Sequence, residues 1–255
     1  MSTKSAFLTG VFIVLGLLSL WYSFRRPGTP TLDDTIIVGT NSDYPPYSYK
    51  EHDEIIGLDI DIAKEVIRRL DKKMEIEDMA FDVLITEIQM GKIHMIAAGM
   101  TETPERARQV FFTKPHLKND PLIIISRADD KKFNSTDDLK GETVVVNQGY
   151  TADEYISSLP EITVYRSITP AEAFLALTSK RARAFIAARS SVQPFFKKHG
   201  TQDFHTTVID GPVESYALAV SKKYPDLFKK VQDILDEMEQ DGILATIKKK
   251  WGLSD

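Results

Sequence analysis

From residue 35 onward the chain alternates short apolar or β-branched runs with amphipathic stretches of helical period, and this alternation restricts the fold more than any other feature. TIIVGT (35–40), IHMIAA (93–98), LIIIS (122–126), TVVVNQ (143–148), ARAFIAA (182–188) and YALAV (216–220) read as strands. Between them, GLDIDIAKEVIRRLDKK sets Ile62, Val66 and Leu70 on a helix face shared with Ile60, Ala63 and Ile67. FDVLITEIQM is a second amphipathic helix, stopped at Gly91. Residues 224–253 hold two more, with Leu227, Val231, Ile234 and Met238 on one stripe. Thr151 with Glu154, and Thr169-Pro170-Ala171-Glu172, have the spacing of capping boxes. Ser135, three residues before Asp138, predicts a short capped turn of helix that ends at Gly141. Strands and helices in this order predict an α/β fold with mostly parallel sheets.

The chain has 255 residues, 42% of them apolar, enough for one large core or two modest ones with a cleft between them. Net charge is -5, and the basic residues are spread along the chain, so nucleic acid is not an expected partner. Cysteine is absent, which removes disulfides, thiolate metal sites, cysteine nucleophiles and a lipid-modified N-terminal cysteine together. Ala6 to Phe24, AFLTGVFIVLGLLSLWYSF, is uncharged and long enough to cross a hydrocarbon core. Trp21-Tyr22-Ser23 lacks the small residues of a cleavage site, which favours an uncleaved anchor over a signal peptide for residues 1–26. Either reading delivers the rest to a periplasmic or extracytoplasmic location, tethered to the inner membrane if the segment is kept. Residues 27–34, PGTPTLDD, read as a linker.

Three segments invite a ligand. In GMTETPER (99–106), Thr103 and Pro104 look like the cap and first residue of a helix that follows a strand end. Arg106 then presents a planar fork that matches a carboxylate, with Thr101 beside it; the plainer alternative pairs Arg106 with Glu102 or Glu105 at the surface. DYPPYSY (43–49) is a stiff loop with three tyrosines, either a wall for a ligand or a core plug. NQGYT (147–151) runs from a strand through glycine into a helix start, which favours an anion. Catalysis has less support. Asp59 and Asp61 read as dipole-complementing residues of a helix start. The five histidines never fall at H-x-x-x-H spacing, Ser190-Ser191 lacks a nucleophile-elbow context, and KKKW near the end reads as a solvated face with an apolar anchor. No metal or cofactor is expected.

IIVGTNSDYPPYSY, GLDIDIAKEV, FDVLITEIQMGKIHMIAAGMTETPERARQVFFTKP, DDLKGETVVVNQGYTADEY and DGILATIKKKWG occur in order over residues 35–252. Together they resemble the extracytoplasmic solute-binding proteins of family 3, the polar amino-acid receptors of ABC importers. Within that family, GTN-x-x-YPP-x, FD-x-LI and KKW-x-LS are similar to its arginine-binding members. The resemblance implies a two-lobed fold of the type II periplasmic binding protein kind with two hinge crossovers. Lobe 1 would take 35–117 plus 219–255, and lobe 2 would take 118–218. The implied protein is a monomer that hands a small-molecule ligand to the importer's membrane subunits. Carried over by position, Arg106 would grip the ligand α-carboxylate, Thr101 would help through hydroxyl and N–H, and Thr151 would add an N–H beside Gly149. The Gly99 carbonyl would receive the ammonium, Tyr44 and Phe81 would sandwich the side chain, and Asn41 sits where basic-ligand relatives often carry an acid. One departure stands out. The acid expected to pair with the ammonium is replaced by Ala188, or by Arg189 if the register slips. Either another acid, Asp43 or Glu214, takes over, or the ligand is a small carboxylate other than an amino acid and Arg189 meets a second carboxylate. His94 replaces a second family aspartate, a structural change. A dehydratase-like enzyme on the same fold is the remaining alternative, disfavoured because the inferred cleft holds Thr, Tyr, Asn and Arg rather than a tuned acid or base.

Overall fold

The computed structural model describes residues 34–253. The anchor-or-signal segment 6–24 lies outside the described residues, and among those described no helix is long and apolar enough to cross a membrane. The chain opens with β1 (Thr35–Thr40), then a small antiparallel sheet of β2 (Asp43–Tyr44), β3 (Ser48–Glu51) and β4 (Glu54–Ile56). There follow α1 (Leu58–Arg69), β5 (Lys73–Asp78), a 3-10 turn at Phe81–Val83, α2 (Leu84–Met90) and β6 (Met95–Thr101). A short α3 (Pro104–Ala107) and β7 (Val110–Phe112) lead into β8 (Leu117–Arg127). After a 3-10 turn at Thr136–Leu139 come β9 (Thr143–Asn147), α4 (Thr151–Ser157), β10 (Thr163–Ser167), α5 (Pro170–Thr178), β11 (Ala184–Ala188) and α6 (Arg189–His199). The chain returns through β12 (Phe204–Ser221) to α7 (Pro225–Gln240) and α8 (Ile243–Lys250).

The main sheet runs β10-β9-β11-β8-β12-β6-β1-β5. At one end β5, β1 and β6 are parallel, at the other β10, β9 and β11 are parallel. Between them β8 and β12 run antiparallel to each other and to their outer neighbours. The result is a two-lobed α/β fold in which β8 and β12 are the connecting strands. LIIIS is apolar without alternation because both of its faces are covered. Leu122 and Ile124 join a cluster with Val144, Val146 and Ile186, whereas Ile123 and Ile125 join one with Val145, Phe174 and Phe185. In the other lobe Leu84, Ile88, Ile96 and Met100 pack together under the sheet.

Local readings hold in several places and fail in others. Gly91 caps α2 in the left-handed conformation, and Thr169 with Glu172 forms the reciprocal box, at 3.2 and 3.3 Å, with Pro170 at the first helical position. The box expected from Thr151 and Glu154 does not form: Tyr150 is the cap, and Glu154 turns to Arg106 instead. Ser135 makes no hydroxyl cap; Asp138 accepts the Asn134 N–H at 2.8 Å. β6 starts two residues later than expected, because His94 closes onto β1, its Nδ1 accepting the Ile37 N–H at 3.0 Å. β12 begins at Phe204, twelve residues before the expected YALAV strand, since its first half is polar and half-exposed and lacks an apolar pattern. Thr169→Ala removes a working cap and should cost about 1 kcal/mol. A calorimetric melt should then show Tm lowered by roughly 2–4 °C.

Candidate functional site

Arg106 sits in the first turn of α3, where the Thr103 hydroxyl accepts its backbone N–H at 3.3 Å and Pro104 fixes the helix start. That cap aims the side chain back over the end of β6. The guanidinium is buried, donating from one terminal nitrogen to the Thr101 carbonyl at 2.8 Å. Its other terminal nitrogen crosses the cleft to the Gly149 carbonyl at 2.8 Å and the Glu154 carboxylate at 3.2 Å. Phe81 lies beside it, with the ring centroid 5.4 Å from the guanidinium carbon. The surface alternative is therefore excluded: neither Glu102 nor Glu105 holds Arg106.

Gly149 has φ 74°, a conformation that suits glycine, and a Cβ there would come within 2.9 Å of the Asp82 Cβ. Its N–H is occupied by the Asp153 carboxylate at 3.0 Å, so this helix start does not offer the free donor that the sequence suggests. Gln148 reaches Asp82 at 2.6 Å from the same turn. Gly99 is the second glycine that matters. With φ 59° it lies against the Tyr44 ring, and a Cβ would stand 2.7 Å from that ring. Its N–H goes to the fully buried Asp59, whose other oxygen meets His116 Nε2 at 2.9 Å. Asp59 is thus a buried tie between α1, β6 and the segment leading into β8, not a surface partner of the helix dipole. Asp61 does stay near the surface, taking Lys250 at 2.6 Å and the Trp251 indole at 2.9 Å, so KKKW is pinned at one end.

The DYPPYSY loop is both wall and plug. Tyr44 and Tyr47 are buried and stacked at 5.3 Å, and the Tyr44 hydroxyl meets that of Tyr216 at 3.0 Å. Tyr47 bonds the Ser190 hydroxyl at 2.5 Å across the cleft. Burial pushes the phenols of Tyr44, Tyr47 and Tyr216 up, so all three stay neutral. Asn41 is buried, gives its amide to the Met79 carbonyl at 3.3 Å and accepts the Tyr150 hydroxyl at 3.0 Å. Tyr150 itself stands between the two proposed sandwich residues, 5.2 Å from Tyr44 and 4.5 Å from Phe81.

Two buried acids complete the site. Asp120 on β8 accepts the Tyr216 hydroxyl at 3.1 Å, the Ser190 N–H at 3.1 Å and the Ser190 hydroxyl. Glu214 on β12 accepts the Thr101 hydroxyl, while that hydroxyl oxygen takes the Ser215 N–H at 3.1 Å. Burial raises the Glu214 carboxyl to about 7, against the pull of Thr101, Arg106 and Thr151. Desolvation raises Asp120 too, and lifts Asp43 to about 6, with Asp78 and Glu172 adding to the effect on Asp43. Contacts thus link Asn41, Tyr44, Phe81, Gly99, Thr101, Arg106, Gly149 and Thr151 into one cluster, through Tyr150 and Glu214. Ala188 ends β11 inside an apolar cluster, and Arg189 is exposed at the start of α6. Sequence reasoning missed Asp120 and the roles of Tyr150, Ser190 and Tyr216. KNDP carries no periodic signal, and Ser190 has no motif of its own.

A family model described as bacterial extracellular solute-binding proteins, family 3, matches residues 36–254. The arginine-binding extracellular protein ArtP of Bacillus subtilis is 32% identical over 221 residues, 85% of each chain. The probable ABC transporter arginine-binding protein ArtJ of Chlamydia trachomatis is 25% identical over 90% of each chain. A solved ancestral arginine-binding protein bound to arginine superposes with a TM-score of 0.81 at 31% identity, covering 87% of this chain and 99% of that one.

The raised Glu214 carboxyl sets a pH dependence. Between its unfolded value of 4.5 and about 7 the folded protein holds a proton that the unfolded chain has released, so stability falls as pH rises through that window. The loss is about 3 kcal/mol at most. Free protein should melt lower at pH 8 than at pH 5. Glu214→Gln should flatten that slope in thermal melts, leaving the part of the same sign due to Asp43 and Asp120.

Proposed function

The chain belongs to the bacterial extracellular solute-binding proteins, family 3, and on that premise we propose that it captures a polar amino acid, arginine or another basic one favoured, for an ABC importer. Extracytoplasmic capture follows from the family. The ligand choice is supported by relatives described as arginine-binding, and the importer partner by the description of one of them as an ABC transporter protein. The observation that carries the reading is the buried Arg106, aimed into the cleft with carbonyl and carboxylate oxygens at its two terminal nitrogens. Glu154 supplies a carboxylate oxygen where an incoming α-carboxylate would bind, and it is exposed enough to yield.

In this reading lobe 1 is 35–117 plus 219–255 and lobe 2 is 118–218, hinged on β8 and β12. Arg106 and Thr101 take the α-carboxylate, with the Thr151 N–H closing from the other lobe beside Gly149. Tyr44, Phe81 and Asn41 line the side-chain end. A long side chain entering between Tyr44 and Phe81 moves Tyr150 aside, so binding begins from an opened cleft. The relatives named above are described as binding proteins, which favours a receptor over an enzyme despite the raised Glu214 carboxyl, and we take that receptor to act as a monomer. A ligand lacking the amino group is the less favoured choice.

Titration calorimetry with the twenty amino acids should give heat for arginine or a polar neighbour, and bound ligand should raise Tm by mass action. No heat from any of them would sink the reading. Arg106→Ala should fold yet weaken the favoured ligand by about 30-fold or more, the cost of removing one partner of a buried charge pair. Undiminished affinity in that variant would rule out the clamp.

A further inference from the structure

An α-amino acid carries its ammonium on the carbon next to its carboxylate. A pocket that holds the carboxylate on Arg106 must therefore place a buried counter-charge close by, or the ammonium is desolvated without compensation. Ala188 lies in an apolar cluster and Arg189 has the wrong sign. The hinge strands, however, carry two buried acids that are register partners: Glu214 on β12 sits opposite Asp120 on β8. Asp120 adds to the upward push on the Glu214 carboxyl, and a cation placed beside the two would favour their ionised forms. Asp120 is already held by the Ser190 N–H and hydroxyl and by the Tyr216 hydroxyl. Glu214 is tied instead to Thr101, the residue whose carbonyl oxygen also receives Arg106. Thr101 therefore touches both the guanidinium and the carboxylate, which puts a positive and a negative group on either side of one residue.

We propose that Glu214 is the counter-charge for the ligand's α-ammonium, with Asp120 as the fixed acid opposite it on the hinge. This rests on the amino-acid reading above. It assigns the charge to a connecting strand rather than to the end of β11. Around Glu214 stand Arg106 from α3, Asp120 from β8, Tyr150 from the turn before α4, and Tyr44 and Tyr216; burial pushes all three phenols up, so they stay neutral. Because burial raises Glu214 to about 7, an arriving ammonium drives off the proton it holds. Arginine binding at pH 7 then releases about half a proton, falling toward zero by about pH 8.5.

The test is a cycle over protein and ligand. Titration calorimetry compares wild type and Glu214→Gln with L-arginine and with 5-guanidinopentanoate, the same molecule without its amino group, in buffers of different ionisation enthalpy. Wild type should prefer arginine by about 30-fold or more and release protons only with arginine, and Glu214→Gln should lose both the preference and the release. Glu214→Gln that keeps the preference within threefold of wild type overturns the proposal while leaving the amino-acid reading intact. Wild type that binds no amino acid sinks both. Should the variant fail to fold, wild type labelled with carbon-13 at the glutamate carboxyl decides: one resonance should titrate near neutral pH in the free protein and be ionised throughout in the arginine complex. No such resonance overturns the assignment.

Discussion

A buried guanidinium needs partners, and Arg106 finds them in both lobes. Its bonds to the Thr101 and Gly149 carbonyl oxygens join the end of β6 to the turn before α4. Leaving such a charge unpaired would cost several kcal/mol, so the surrounding backbone has to present oxygens inward. The Thr103 cap and Pro104 set the direction of the side chain. The left-handed Gly149 turn spends its N–H on Asp153 and leaves its carbonyl for the cleft. In the proposed reading a ligand carboxylate would displace such neutral partners, because a charge-assisted bond to the guanidinium is the stronger one.

The hinge strands contribute chemistry as well as connection. Tyr216, Glu214 and Asp120 all lie on β8 or β12, and Ser190 approaches them from the start of α6. The site and the connecting strands therefore share residues. The tyrosines fill the volume, and their hydroxyls satisfy one another and the acids, so that burial leaves few polar atoms without partners.

The α/β class, the order of the elements and the Arg106 segment were legible in the sequence because they rest on local signals. Apolar runs, Gly91, Thr103-Pro104 and the Thr169–Glu172 box all lie within a few residues of the structure they direct. What was not legible depends on long-range contact. Glu154 had the spacing for a cap, yet a buried arginine 48 residues away is a stronger partner than its own helix end. Asp59 looked like a helix-start acid, but His116 and the Gly99 N–H bury it. The first half of β12 was invisible because its pairing with β8 stands in for an apolar pattern. Asp120 had no motif at all, and only the antiparallel register sets it against Glu214.

The register between the two connecting strands is itself uneven. It is regular from Phe204 to Val208, breaks before Val213, and shifts again between Glu214 and Tyr216. At its base the ribbon is clamped: the His116 N–H bonds the Tyr216 carbonyl at 2.9 Å while the His116 ring is tied to Asp59. Backbone pairing is therefore uneven along the ribbon, tied at the His116 end and interrupted over residues 209–212. The four residues Ile209 to Pro212 thus join two paired stretches of β12 that are not in the same register with β8.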